Sequence, residues 1–559
     1  MENIKNNNRF VEYIEQIDKF YGSTGESFSA DKEEIKRLSV IGGYTFSKSQ
    51  EKAMKQLYEK NITLLLGPPG TGKTDFISRA LVVLCELYRQ RGKQLRVLVS
   101  ANSHSAIENV LFAVEKKKRL AGTSLNIYKA DRFDDGEEED KGNVKILIEK
   151  RLQNLMNTQQ SDPFVVGATV WTTHKWLKPK AEKKGSREVP KNDFDVIVLD
   201  EASQVRLVDA IIPFSYSNKN TRMLIVGDEN QLSPIILGNY DKEIEEPFRF
   251  GSVFRYLGDY SNYYNQTNGG NVLDYQKVLT ENFRMNEILV RYSEQEIYKS
   301  GYKSYDSEIA TQTLKYRDKL TKYLSKISLR KEKIEADVSD VLHTILDEEY
   351  PLVLCIVEGK NQVEILEKEI RWITRLTRTL ENCLGAGTQK EFWGSSTEDG
   401  LFGIIAPHHA HISRIKDALV GGECDGIESP WEEEREDVYV GTVDKLQGKE
   451  RQVVVVSYGV GDIEQAIGEG EFIYSRNRLN VSLTRGKKKT VVFLTNALLN
   501  FPIEALGIDN RDILEGISFL CGFKDFMNHE EEDTCVDIKS FKSDIDGTTI
   551  KVFRKRVKS

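Results

Sequence analysis

Eight residues, Gly67-Pro68-Pro69-Gly70-Thr71-Gly72-Lys73-Thr74, constrain what this chain can fold into more than any others. They fit the spacing GxxxxGK[ST], follow the apolar run Ile62–Leu66 and precede a stretch, Phe76–Leu87, with apolar residues at helical spacing. Strand, glycine-rich loop and helix in that order make a phosphate cradle. The glycines let backbone N–H groups turn inward, and the helix start adds its positive end. Gly67, Pro68, Pro69, Gly70, Thr71 and Gly72 would line the cradle. Lys73 would reach the β- and γ-phosphates of ATP or another nucleoside triphosphate, and the Thr74 hydroxyl would bind Mg²⁺. Short apolar runs at Val97–Val99, Phe164–Val166, Val196–Leu199 and Met223–Val226 read as buried parallel strands of an α/β sheet.

Such a loop needs carboxylates at the end of a neighbouring strand. The segment Val196-Ile197-Val198-Leu199-Asp200-Glu201-Ala202-Ser203-Gln204 supplies them. Asp200 is expected to hold Mg²⁺ through water, and Glu201 to orient and deprotonate the attacking water. An isolated Asp-Glu pair often does no more than cap a helix; downstream of a phosphate loop the catalytic reading is the stronger. In Gly227-Asp228-Glu229-Asn230-Gln231-Leu232, Gln231 stands at a third strand end, within reach of a γ-phosphate. A second α/β rhythm runs through Leu352–Val357, Phe402–Ala406, Val438–Val440, Val453–Val456 and Thr490–Leu494.

In this order the motifs resemble the superfamily 1 helicases of the DEAxQ branch, which includes the nonsense-mediated-decay and Dna2-type helicases. The resemblance covers roughly residues 46–494 and implies two RecA-like P-loop domains with helical insertions. In Phe46-Ser47-Lys48-Ser49-Gln50, similar to the Q motif, Gln50 would read the adenine edge. Motif Ia (Ser100, Asn102, His104) and motif Ib (Thr169) would touch nucleic acid, as would Pro407 of the segment resembling "TPY" and Thr442 of motif V. Arg284, in Leu279-Thr280-Glu281-Asn282-Phe283-Arg284-Met285, would meet the γ-phosphate. Arg485, in Arg478-Leu479-Asn480-Val481-Ser482-Leu483-Thr484-Arg485, would act as an arginine finger, with Glu450 near the ribose or the arginine pair. None of the departures from the family pattern, such as Asn102 for Pro in motif Ia, removes a catalytic group. The implied partner is single-stranded DNA or RNA, and the implied movement is 5′ to 3′.

The expected organisation is a lead-in over residues 1–44, a first domain over 45–285 with an insertion at about 112–160, a helical bridge or accessory segment over 286–349, a second domain over 350–500 and an extension over 501–559. That extension is a candidate surface for a protein partner such as a nuclease. No apolar run reaches the roughly 18 residues of a membrane span, and the six cysteines show no CxxC pair. The expectation is a soluble cytoplasmic protein. The net charge of -8 leaves nucleic-acid binding open, since a local basic track suffices. Lys116–Arg119 and the Lys-rich run from Lys175 to Arg187 are candidates, although charge alone favours solvated surface runs; Trp171 and Trp176 beside the latter read either as base-stacking platforms or as core tryptophans next to a basic loop. His408, His409 and His411 read as a strand-end loop rather than a metal site, and Arg554, Lys555, Arg556 and Lys558 as a solvated tail. The competing functional reading is a nucleic-acid-stimulated ATPase switch or clamp that recruits a partner without unwinding.

Overall fold

The computed structural model describes Tyr21, Val40 and residues 45–130, 144–147, 162–177, 193–234, 250–267, 272–329, 338–394, 399–420, 427–431, 439–446, 449–502, 511–542 and 549–558. The chain divides into two compact units, Met1–Glu281 and Asn282–Ser559.

The first unit runs α1 (Lys48–Glu59), β1 (Ile62–Leu66), α2 (Lys73–Gln90), β2 (Arg96–Ala101), α3 (His104–Ala121), β3 (Asn126–Ala130), β4 (Lys145–Leu147), β5 (Phe164–Thr169), α4 (Val170–Leu177), β6 (Val196–Leu199), α5 (Leu207–Phe214), β7 (Arg222–Gly227), α6 (Val253–Thr267) and β8 (Gln276–Val278). The strands form one parallel sheet in the order β4-β3-β5-β2-β6-β7-β1-β8. All five residues of β1 are buried, and they alternate between two cores. Leu64 and Leu66 join the cluster with Phe254 and Tyr275, while Leu65 faces Phe76 and Val99. Burial on both faces is why these strands read as continuous apolar runs.

Two expectations change here. The strand ending in Asp200 is not next to β1, because β7 pairs with both and lies between them. The interruption placed at about 112–160 begins inside α3, which continues to Ala121, and Asn126–Ala130 then pairs with β5 in the main sheet. Much of the remainder of that interval, and most of the Lys175–Arg187 run, lie outside the described residues.

The second unit contains α7 (Glu287–Ser293), α8 (Arg317–Leu329), α9 (Val338–Leu346), β9 (Leu352–Glu358), α10 (Gln362–Cys383), β10 (Phe402–Ile405), α11 (His409–Val420), β11 (Val440–Gly441), β12 (Arg451–Ser457), α12 (Ile463–Gly468), α13 (Arg476–Leu483), β13 (Gly486–Leu494), α14 (Arg511–Asn528), β14 (Thr534–Lys542) and β15 (Thr549–Val557). Its sheet has the order β11-β10-β12-β13-β9-β15-β14. The first five are parallel to their neighbours, whereas β15 and β14 add antiparallel beside β9.

The basic tail is therefore structural and not solvated. Arg554 and Lys555 are buried: Arg554 pairs with Asp347 at 3.1 Å and with Asp537, and Lys555 donates to the carbonyls of Phe526 and His529 at 2.7 and 2.9 Å. His411 also departs from its reading. It is buried within α11, 2.6 Å from the Ser457 hydroxyl, which donates to Glu369 in turn. Among the described residues no group of three or more His, Cys, Asp or Glu could hold a metal ion, and no helix is long and apolar enough to cross a membrane.

Candidate functional site

The phosphate loop turns where its sequence requires. Gly70 and Gly72 both have φ of 75°, a left-handed backbone that glycine adopts at little cost. Gly67 is needed for a different reason. A Cβ there would sit 2.3 Å from Cγ of Lys73, so the close passage of the lysine stem excludes a side chain. Lys73 Nζ donates to the Gly67 carbonyl at 2.6 Å, and the Thr71 hydroxyl donates to the Pro68 carbonyl at 2.8 Å. Thr74 is half-buried in the first turn of α2.

Register brings the other strand ends alongside. Leu66 pairs with Gly227 of β7, and the Gly67 N–H donates to the Gly227 carbonyl at 3.0 Å. Beyond Gly227, Gln231 Nε2 donates to Asp228 Oδ2 at 2.7 Å, and both side chains are buried. Leu199 of β6 pairs with Ile225, which delivers Asp200 and Glu201 to the same edge. Burial, with the Glu201 charge behind it, raises the Asp200 carboxyl well above the usual carboxylate range. Asp200 Oδ1 accepts from the Glu201 N–H at 2.9 Å. Glu201 itself has φ of 49°, one of two non-glycine residues described with a positive φ. For a residue with a Cβ that conformation is strained, and strain of this kind concentrates at functional sites.

Gln50 lies at the start of α1, buried. Its Oε1 accepts from the Ser47 N–H at 3.2 Å, and the Ser47 hydroxyl accepts from the Gln50 N–H, a reciprocal cap. Glu281 braces that cap. Its carboxylate accepts from the Ser47 hydroxyl at 2.9 Å, the Ser49 N–H at 3.2 Å and the Ser49 hydroxyl. Burial alone would raise the Glu281 carboxyl, but the bonds from Ser49 and Ser47 outweigh it and hold it low.

In the second unit, Arg284 donates to Glu450 Oε1 at 2.5 Å and to the Thr484 carbonyl at 2.8 Å, and Lys487 Nζ lies 2.8 Å from Glu450 Oε2. Burial would raise the Glu450 carboxyl, yet the Arg284 and Lys487 charges hold it down to about 2. Asn282 sets the Arg284 turn, its Oδ1 accepting the N–H groups of Arg284 and Met285 at 3.0 and 3.2 Å. Arg485 is buried just past α13, with its Nε donating to the Val481 carbonyl at 3.2 Å.

The expected nucleic-acid contacts divide. Asn102 and His104 are exposed after β2, and Pro407 and Thr442 are half-exposed after β10 and β11. The other two hydroxyls do not face solvent. Ser100 is fully buried, and Thr169 uses its hydroxyl to cap α4, donating to Thr172 Oγ1 and accepting from the Thr172 N–H. Two residues later, the Trp171 side chain is 51% exposed.

Sequence reasoning missed Asp228, Glu281 and Lys487. The motif signal for Asp228 was present in Gly227-Asp228-Glu229-Asn230-Gln231. Glu281 stood inside the motif segment around Arg284, but nothing local ties it to Ser47 and Ser49. Lys487 sits two residues beyond Arg485, outside the motif, and nothing local ties it to Glu450.

Two AAA-domain family models match the chain, over residues 50–236 and 266–496. The chain is similar to the DNA replication ATP-dependent helicase/nuclease DNA2 of Xenopus laevis, 24% identical over 459 residues, 81% of this chain and 37% of that protein. The Mus musculus counterpart is 27% identical over 471 residues, 82% of this chain and 38% of that one. An uncharacterized ATP-dependent helicase of Methanocaldococcus jannaschii is 20% identical over 536 residues, 81% of this chain and 68% of that one. The chain thus spans less than two-fifths of the length of the Dna2 relatives it matches.

Proposed function

Because the chain belongs among the superfamily 1 helicases of the Dna2 and nonsense-mediated-decay type, we propose that it couples ATP hydrolysis to 5′ to 3′ movement on a single strand of DNA or RNA. The observation that carries the reading lies in the first unit. There the phosphate loop after β1, Asp228–Gln231 after β7 and Asp200–Glu201 after β6 end on one edge of a parallel sheet, the edge where α/β sheets bind ligands.

The donor set suits Mg²⁺. Asp200 is a buried oxygen ligand whose ionised form a neighbouring dication would favour, and Thr74 offers a hydroxyl at the helix start. Thr74 and Asp200 would hold the ion, which when bound neutralises charge on the β- and γ-phosphates. Lys73 exchanges the Gly67 carbonyl for those phosphates. Glu201 takes the proton of the attacking water, and Gln231 orients that water against the γ-phosphate. Arg284 and Arg485 bring positive charge to the transferred phosphoryl group, and Glu450 holds Arg284 in readiness. Gln50 reads the adenine edge through its Nε2, since its Oε1 serves the helix cap. Asn102, His104, Pro407 and Thr442 contact the strand, while Ser100 and Thr169 act through the strand ends they shape.

The burial of the Ser100 and Thr169 hydroxyls favours a second reading, in which the ATPase clamps a strand and recruits a partner, such as a nuclease, through residues 501–559. Steady-state hydrolysis with single-stranded DNA, with single-stranded RNA and with neither tests the proposal. Stimulation by one polymer, lost in Lys73→Ala and Glu201→Gln, supports the motor; strand-displacement assays then separate motor from clamp. No stimulation by either polymer would sink both readings.

A further inference from the structure

The second unit holds a cavity of about 850 Å³ that is lined by Pro407 and Thr442 and extends well past them. The rings of His408 and Phe472 also line it, with centroids 5.5 Å apart and planes inclined by 40°. The Arg478 guanidinium lies 4.3 Å from the Phe472 centroid and 3.6 Å from Asp444, which fixes the ring by a cation–π contact and anchors the cation in turn. The rest of the lining is unlike a phosphate site. Asp444, Glu469 and Glu471 contribute carboxylates, and Glu469 Oε2 is 2.9 Å from His408 Nε2.

An ionised carboxylate can only accept hydrogen bonds, and it repels a phosphate or carboxylate ligand at short range. Aromatic faces beside three carboxylates, with the His409 imidazole and the Thr442 hydroxyl as further polar groups of the lining, suit a flat, uncharged ring that carries N–H donors. Adenine, cytosine and guanine present an amino group of that kind, and acidic side chains accept from the cytosine amino group. Thymine and uracil instead flank their one ring N–H with two carbonyl acceptors, which would face the carboxylates.

We propose that this cavity receives an unpaired adenine, cytosine or guanine from the bound strand, against the His408 and Phe472 rings, with the phosphates left outside. The inference rests on the strand-binding role of Pro407 and Thr442 and adds a base preference to it.

The test is equilibrium binding of the full chain to labelled oligonucleotides of deoxycytidine, deoxyadenosine, thymidine and abasic sites at one salt concentration. The first two should bind roughly 10-fold more tightly than the abasic strand, the scale of one base–aromatic stack. The double substitution Glu469→Gln, Glu471→Gln changes exposed side chains and should bring the deoxycytidine-to-thymidine affinity ratio close to one. Phe472→Ala, with its fold checked by thermal melting, should weaken deoxycytidine binding about 10-fold and leave abasic binding unchanged. A ratio the glutamines do not alter, or equal binding of deoxycytidine and abasic strands, overturns the inference alone. Binding to none of the strands overturns the functional reading and the inference together. Free deoxycytidine competing as well as the oligonucleotide overturns the assignment of the base to a strand.

Discussion

Glu201 sits on a left-handed backbone with φ of 49°; its N–H donates to the Asp200 carboxylate, and the Gln204 amide donates to the Glu201 carboxylate. A group held this way is oriented before substrate arrives. Glu201→Gln should therefore keep ATP affinity while lowering single-turnover hydrolysis by about 10²- to 10⁴-fold, the usual contribution of a general base. Turnover within a few-fold of wild type would reject that role. Glu450 offers a pH test. Its folded-state value of about 2 lies below the ordinary glutamate value, so its stabilisation is complete above about pH 4.3 and fades as pH falls towards 2. Glu450→Gln should melt below wild type at neutral pH, and the gap in Tm should close over that acidic window. A gap that stays constant across it would contradict the ion pairing with Arg284 and Lys487. Legibility at this scale follows sequence distance. Lys73, Thr74, Asp200, Glu201 and Gln231 sit in contiguous motifs with fixed local geometry, whereas Lys487 acquires its meaning only through Glu450.

The start of α1 shows how an element can be half legible. Ser47 and Gln50 form a cap from neighbouring residues, but the carboxylate securing it, Glu281, comes from the far end of the first unit. Glu281→Ala should destabilise that unit by about 1–3 kcal/mol in denaturant titrations, from the loss of bonds to a charged acceptor. It should also raise the KM for ATP more than it lowers kcat, since Gln50 is displaced with the cap. A kcat loss with KM unchanged would argue against that link. The β14–β15 pair was illegible because charge alternates through it. Arg554 and Lys555 look solvated until Asp347, Asp537 and two backbone carbonyls are placed around them. Arg554→Ala should cost about 3 kcal/mol, because it leaves carboxylates without their buried partner. Lys558→Ala, one residue past the end of β15 and exposed, should cost less than about 0.5 kcal/mol. Equal effects in chemical denaturation would return the tail to solvent.

At the scale of the whole molecule, both sheets were visible as spaced apolar runs, because parallel strands buried on two faces carry little else. The expected boundary near residue 285 and the observed one at 281/282 differ by a few residues, yet the shift moves Arg284 into the second unit beside Glu450. Strand binding should weaken linearly in log affinity with log salt, each phosphate contact adding about 0.7 to the slope for a single strand. With the net charge at -8, a slope near zero would mean that no local basic track engages the backbone. The place of β15 has a further consequence for biosynthesis. Val353 in β9 finds its antiparallel partner, Arg554, only after nearly all of the second unit has been translated. The first unit's sheet is complete by β8, so it can close while the ribosome is still working. The second must wait with one flank of β9 bare until residue 557 has cleared the exit tunnel, an interval in which nascent-chain chaperones would find an unsatisfied strand edge to hold.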